Sequence, residues 1–326
     1  MHGPVKMNRG TANCALLLTA MLWGGGNVAQ QTVLQHIGPI SAVGLRCLIA
    51  ALVLLPFVWR IGGLNFQLRK YSNGLAVLTI CSFASALTFL QIGFGLTTVT
   101  NASFLVNTAS VMTPLCCWFY FRRKPATAVW VAALATLAGT GLMSGASPSA
   151  FGSGDTFCLL SAFSYSIWMI CLSELVKKHG NALLISFLQF LMTGIICTIL
   201  GLAVEPISSS GLIAAAPQLV WLGVFSTGLG YLLQAWAQSG TTASETSIIL
   251  SSEAIFGGLG GFLIIGETLS STAIAGAAFI LIGVIIMELP FQKIVKILSG
   301  QNYLQTQASL RPKLPIYRSI VNRRST

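Results

Sequence analysis

Ten runs of about 20 apolar residues follow one another along the chain, separated only by short breaks. A helix of that length covers the hydrocarbon of a bilayer, and so many of them leave little sequence for a water-facing surface. Only 8% of the residues are charged, against about 25% in an ordinary soluble domain. Mean hydropathy is +0.80. This excludes a soluble enzyme and a disordered protein and predicts an integral membrane protein. The net charge of +11 is no footprint for nucleic acid, because only Arg46, among 18 Lys and Arg, falls within an apolar run.

A 20-residue window places the spans at 12–33, 40–59, 73–94, 98–120, 126–146, 156–173, 182–203, 216–237, 244–265 and 271–287. Breakers or charges mark the cuts, among them Gly38-Pro39, Gly62-Gly63, Ser147-Pro148 and Glu205-Pro206. The faintest cut, at 94–98, has only Gly95 and two threonines. Lys6 and Arg9 before Cys14–Trp23 faintly resemble a secretory signal, but without a convincing small-x-small site the run is read as an uncleaved first span. Placing the N-terminus in the cytoplasm puts every other Lys and Arg on the inner side, while the outer connections carry Asp155, Glu205 and Glu267. Both termini are therefore expected to be cytoplasmic, in a bacterial-style inner membrane.

The eight cysteines lie in or beside apolar runs, where they act as small hydrophobes and outline no disulfide framework. After 288 the chain is basic. Phe291, Ile294, Val295 and Leu298 share one helical face there, which suits either a short helix on the anionic leaflet or a solvated tail.

The chain matches itself at an offset of 142–144 residues. Leu18–Trp23 falls on Leu160–Tyr165, Gln91 on Gln234, Thr97-Thr98 on Thr241-Thr242, Ser103 on Ser247 and Gly139 on Gly283. Five spans per half is an odd number, so the second half enters from the opposite face. The expected fold is an all-α membrane protein: ten transmembrane helices as two inverted five-helix repeats, 1–147 and 152–288, around a central cavity, with a basic tail at 289–326. Inverted repeats of this kind are characteristic of secondary transporters.

Leu22-Trp23-Gly24, Pro39 with Arg46, and Asn101-Ala102 with Pro114 in the first half resemble the EamA-type permeases of the drug/metabolite transporter superfamily. Gly154-Asp155, Glu253–Phe256, Gly266-Glu267-Thr268-Leu269, Gly276 and Gly283 carry the same resemblance in the second half. It covers about residues 12–288. Two departures stand out: Arg122-Arg123-Lys124-Pro125 replaces a Gly-Glu common at the fourth-to-fifth connection, and Glu253-Ala254 replaces a common Glu-Pro. The resemblance implies movement of small metabolites, amino acids or drug-like compounds.

Ionisable side chains within spans are expensive in lipid, so Arg46, Glu245 and Glu253 are the candidates for function. Glu245 lies near the cytoplasmic end and reads as interfacial. Glu253 sits about 13 Å along the ninth span, near the midplane, with Gly257 and Gly260 on its face. It would carry a proton, meet a cationic group of the substrate, or serve as a buried structural carboxyl. Arg46 lies about 10 Å below the outer end of the second span. It would bind a substrate carboxylate or anchor the repeats, and a pairing with Glu253 would tie the two halves together. Trp23, Asn27, Gln91, Asn101, Tyr165 and Gln234 complete the substrate-pathway candidates, with Trp23 and Tyr165 as symmetric mates.

Asp155 is the only Asp and lies in a loop, and all three histidines fall outside the spans, which removes an aspartyl dyad, a Ser-His site and a His-rich metal site. No phosphate-binding Gly-x4-Gly-Lys motif occurs. No enzyme activity, cofactor or metal is expected. The partners expected are a small-molecule substrate, the lipid bilayer and, for a coupled carrier, protons. A facilitative channel and a membrane receptor or scaffold remain as alternatives, and the oligomeric state stays open.

Overall fold

The computed structural model describes residues 7–60, 74–119, 122, 124–145, 151–260, 262–263 and 270–288. Gly62-Gly63, Arg69, Lys70, Arg123, Ser147-Pro148, Gly266–Leu269 and the helix expected at Phe291–Leu298 lie outside them. Contacts divide the chain into Met1–Met287 and Glu288–Thr326, and the helical bundle is the first of these units.

All the regular structure described is helical: α1 (Arg9–Gly24), α2 (Asn27–Thr32), α3 (Pro39–Arg60), α4 (Gly74–Leu96), α5 (Val99–Asn107), α6 (Ala109–Phe119) and α7 (Thr127–Ser144). Then come α8 (Ser153–His179), α9 (Ala182–Val204), α10 (Ser209–Val220), a π-helix at Trp221–Gly230, α11 (Tyr231–Ala237), α12 (Ala243–Leu250), α13 (Glu253–Gly260) and α14 (Ser271–Glu288). Seven helical stretches among the described residues are long and apolar enough to cross a membrane, and Ser271–Met287 is a shorter apolar helix.

Local chemistry sets the boundaries. Pro39 opens α3, where its missing N–H costs nothing. The Thr98 hydroxyl accepts from the Asn101 N–H and starts α5, so the faintest cut in the sequence is a real one. Asn181, Ser208 and Thr242 cap α9, α10 and α12 in the same way. Gly145 and Gly180 stop α7 and α8 with φ of 57° and 70°, a left-handed turn that glycine adopts without strain.

Three apolar runs expected to be continuous are broken instead, the fourth at Thr108 between α5 and α6. The first run splits at Gly25–Gly26 between α1 and α2, and the ninth at Ser251-Ser252 between α12 and α13. The first and ninth breaks lie against each other: a Cβ on Gly24 would come within 2.6 Å of the Glu253 carbonyl and 2.7 Å of the Gly257 nitrogen. Gly24 thus permits a backbone approach that a side chain would block.

The helices share two ends. At one, the Glu205 carboxylate after α9 accepts from the backbone N–H of Ile40 and of Ser41, each at 2.8 Å, and Thr97 after α4 donates to Asp155 of α8. At the other, Arg9 pairs with Glu245 at 2.9 Å and donates to the Met287 carbonyl, and Met7 donates to Ser239. So α1 starts at the Arg9 end, whereas α8 starts at the Glu205 end. Gly44, Gly194 and Gly201 bring α3 and α9 together, and Gly139 and Gly276 do the same for α7 and α14. Large apolar side chains such as Leu52, Trp59, Ile199 and Leu263 face outward, as a lipid-facing surface requires.

Candidate functional site

Where the two broken helices meet, polar side chains turn inward. Asn27 is the first residue of α2 and Glu253 the first of α13. The Asn27 amide donates to the Glu253 carboxyl at 3.0 Å. The first-turn N–H groups of α13 are taken by the carbonyls of Ser251 and Ser252, so the two side chains satisfy each other and not the helix ends. Gln30, one turn along, donates to Asn27 Oδ1 at 3.1 Å and accepts from the Arg46 guanidinium at 3.1 Å. Gln91 of α4 braces the far side, accepting from Arg46 at 3.4 Å and donating to the Gln30 carbonyl at 2.7 Å.

The sequence allowed a direct Arg46–Glu253 ion pair. Among the described residues the two form none; Gln30 and Asn27 stand between them. Arg46 is 1% exposed, has no carboxylate partner among the described residues, and its Nε is unpaired. A buried cation held by neutral groups and by no carboxylate among the described residues retains most of its capacity to attract an anion.

Asn27, Gln30, Arg46 and Glu253 line a cavity of about 60 Å³ with Trp23, Tyr165, Ser226 and Tyr231. Ser103, Asn107, Asn27 and Glu253 also line a larger groove, about 470 Å³, that continues past Gly257 toward Ser144 at the end of α7. Glu253 therefore stands in the wall common to both. Aromatic rings form the opposite wall. Trp23 lies 6.3 Å from Tyr165 and 4.7 Å from Tyr231 between ring centroids, and the two tyrosine hydroxyls hydrogen-bond to each other.

The π-helix supplies the backing for these rings. Trp23 donates to the Ser226 carbonyl at 3.0 Å and Thr19 donates to the Gly230 carbonyl at 3.2 Å. A Cβ on Gly230 would sit 2.7 Å from the Trp23 indole nitrogen, so glycine is what lets α1 approach. Stretches of π-helix recur at functional sites.

Of the sequence candidates, Trp23, Asn27, Arg46, Tyr165 and Glu253 meet at this cavity, with Gln91 directly behind Arg46. Asn101 and Gln234 line neither of the two cavities: Asn101 belongs to the α5 cap, and Gln234 is buried in α11. Glu245 is interfacial, paired with Arg9. Tyr231 is not among the residues that the sequence singles out. Its signal there is faint: a tyrosine following Gly223, Gly228 and Gly230 in an otherwise apolar run.

An apolar helical bundle with a polar, partly charged centre reached by a groove is the architecture of a membrane transporter. The profile of the EamA-like transporter family matches residues 10–145 and again 152–289. This chain belongs to the EamA-like transporter family, within the drug/metabolite transporter superfamily, and its members are transporters, not enzymes. An "Uncharacterized transporter" of Archaeoglobus fulgidus is 27% identical over 294 residues, covering 88% of this chain and 89% of the relative. The "Uncharacterized transporter YdfC" of Bacillus subtilis is 26% identical, covering 85% and 90%. The "Uncharacterized inner membrane transporter YicL" of Salmonella typhimurium is also 26% identical, covering 84% and 94%. One crystal structure shares the fold with a TM-score of 0.71 at 16% identity, over 86% of this chain and 96% of that one.

Proposed function

We propose that the chain is a secondary carrier that moves a small polar organic solute, such as an amino acid or a drug-like compound, by alternating access. In this reading ten helices cross an inner, cytoplasmic membrane as two inverted five-helix repeats, 1–147 and 152–288. The opposite starting ends of α1 and α8 support the inversion. Both termini face the cytoplasm together with the basic tail, 289–326; Arg9, Lys124 and Lys177 at one end and Asp155 and Glu205 at the other support that orientation.

The observation that carries the reading is the chain of hydrogen bonds from Arg46 through Gln30 and Asn27 to Glu253, which joins the two halves at the cavity wall. Arg46 takes an anionic group of the solute. Glu253 takes a proton or a cationic group, and Trp23, Tyr165 and Tyr231 cover the apolar part. When the halves rock, this chain is remade, so binding and conformation are coupled. Proton exchange at Glu253 adds an energy source; without it the same architecture exchanges solutes.

Counterflow in proteoliposomes tests the proposal. Vesicles preloaded with unlabelled solute should transiently accumulate labelled solute above its external concentration. A channel equilibrates the label without overshoot, and a receptor moves none.

A further inference from the structure

The repeat offset places a second set of polar groups opposite the first. Gln189 stands 143 residues after Arg46, Gln234 stands 143 after Gln91, and Tyr165 stands 142 after Trp23. Arg46 and Gln91 face the cavity or brace it. Their counterparts are sealed: Gln189 and Gln234 are 0% exposed. Both amide atoms of Gln234 lack a hydrogen-bond partner, as do Gln189 Nε2 and the hydroxyls of Ser186 and Thr193. Trp168 donates to the other amide atom of Gln189.

Ser186, Gln189 and Thr193 recur at three- and four-residue spacing on one side of α9, and α9 packs against α11, which carries Gln234. Tyr231, one turn before Gln234, closes the seam from the cavity side through its bond to Tyr165. Buried polar atoms are nearly always paired, and many helix hydroxyls in this bundle, such as Thr79, Ser82 and Ser166, are satisfied by their own helix, with Thr198 and Thr227 as exceptions outside this set. Unpaired ones repeated along one side of a helix mark a surface suited to water or a polar ligand.

We infer that the α9–α11 seam at Gln189 and Gln234 is a second, uncharged polar site, closed here by the Tyr165–Tyr231 bond and opened to the hydrated solute when the carrier faces the other way. This rests on the carrier reading. The exchange of an Arg site for a Gln site means that an anionic solute leaves a cation on one side for neutral amides on the other. Affinity should therefore be lower, and release easier, from the seam side.

Thiol accessibility tests the inference. In a variant whose native cysteines are replaced, single cysteines at Thr193, Gln234, Ile280 and Ser103 are exposed to a small membrane-impermeant thiosulfonate from each side. We expect Thr193→Cys and Gln234→Cys to react from the Arg9 end at least about tenfold faster than Ile280→Cys, a control in the dry α7–α14 contact. Ser103→Cys should react from the Glu205 end. Rates at 193 and 234 equal to the control, with Ser103→Cys reactive, overturn the second site alone; protection of Ser103→Cys as well overturns the carrier reading beneath it. With native cysteines retained, Gln234→Leu should raise the thermal midpoint, because an unpaired amide is removed, yet slow transport by about fivefold or more. Unchanged transport in that variant contradicts the inference.

Discussion

Asn27 and Glu253 lie 226 residues apart in sequence and 3.0 Å apart in space, each the first residue of a half-helix. That one hydrogen bond joins the break in the first apolar run to the break in the ninth. Half-helices whose N-termini converge near mid-membrane are a recurrent way for carriers to present polar backbone and side chains to a solute. Here the convergence needs Gly24, whereas a Cβ on Gly257 would make ordinary contact at 3.7 Å.

Gly24→Ala therefore should be costly. Its Cβ would meet backbone atoms of Glu253 and Gly257, which cannot rotate away as a side chain does. A loss of roughly 1–3 kcal/mol is expected, read as a lowered thermal midpoint in detergent. Gly10→Ala is the control: nothing lies within 4 Å of its Cβ, and it should be neutral or stabilising by up to about 1 kcal/mol.

Arg46→Lys tests whether the cation acts as a fork or as a point charge. Two amide oxygens accept from a single guanidinium nitrogen, Nη1, so the planar fork that an ammonium cannot reproduce would serve the solute and not these amides. The Lys variant should fold and show a KM raised about tenfold, roughly 1.4 kcal/mol, with kcat changed less. A KM equal to wild type would mean that Arg46 only anchors the repeats.

Glu205 holds the start of α3 with two backbone bonds and one from the Ser41 hydroxyl at 2.6 Å. Glu205→Ala should cost about 1–3 kcal/mol of stability by leaving those N–H groups unpaired. Solute affinity should stay unchanged, since Glu205 lies at the end of the bundle, away from the cavity. Thermal unfolding and equilibrium binding on the same preparation separate the two effects.

The Arg9–Glu245 pair is partly exposed, with side-chain accessibilities of 49% and 18%. A double-mutant cycle should give a coupling below about 1 kcal/mol that shrinks further in high salt. A coupling several times larger would make it a latch on that end of the bundle.

Much of this arrangement is legible in the sequence. The apolar runs locate the helices, and Thr97-Thr98 marks a true boundary because a threonine before a helix caps it. Arg46 and Glu253 stand out for a simple energetic reason: few side chains in lipid-spanning runs carry charge. What stays hidden depends on partners far away in the chain. Ser251-Ser252 contains no Gly or Pro, so the ninth run reads as one helix, and the break exists beside Gly24 of another run. Arg46 and Glu253 look like an ion pair in sequence because sequence gives no distances; Gln30 and Asn27 intervene. Gln91 and Gln234 align, yet Gln91 bonds to Arg46, whose own counterpart is the uncharged Gln189. The π-helix leaves only scattered glycines as a trace.

Lumenal pH in proteoliposomes decides whether the Asn27–Glu253 junction takes part in transport. It is recorded under an imposed gradient while amino acids, nucleosides and cationic drugs are added, for wild type and for Glu253→Gln. Solute-dependent proton movement is expected in wild type and should be lost in the variant, together with solute flux that depends on Arg46. Solute flux without proton movement, equal in both proteins, would contradict a transport role for Glu253 and reduce its bond to Asn27 to a structural tie.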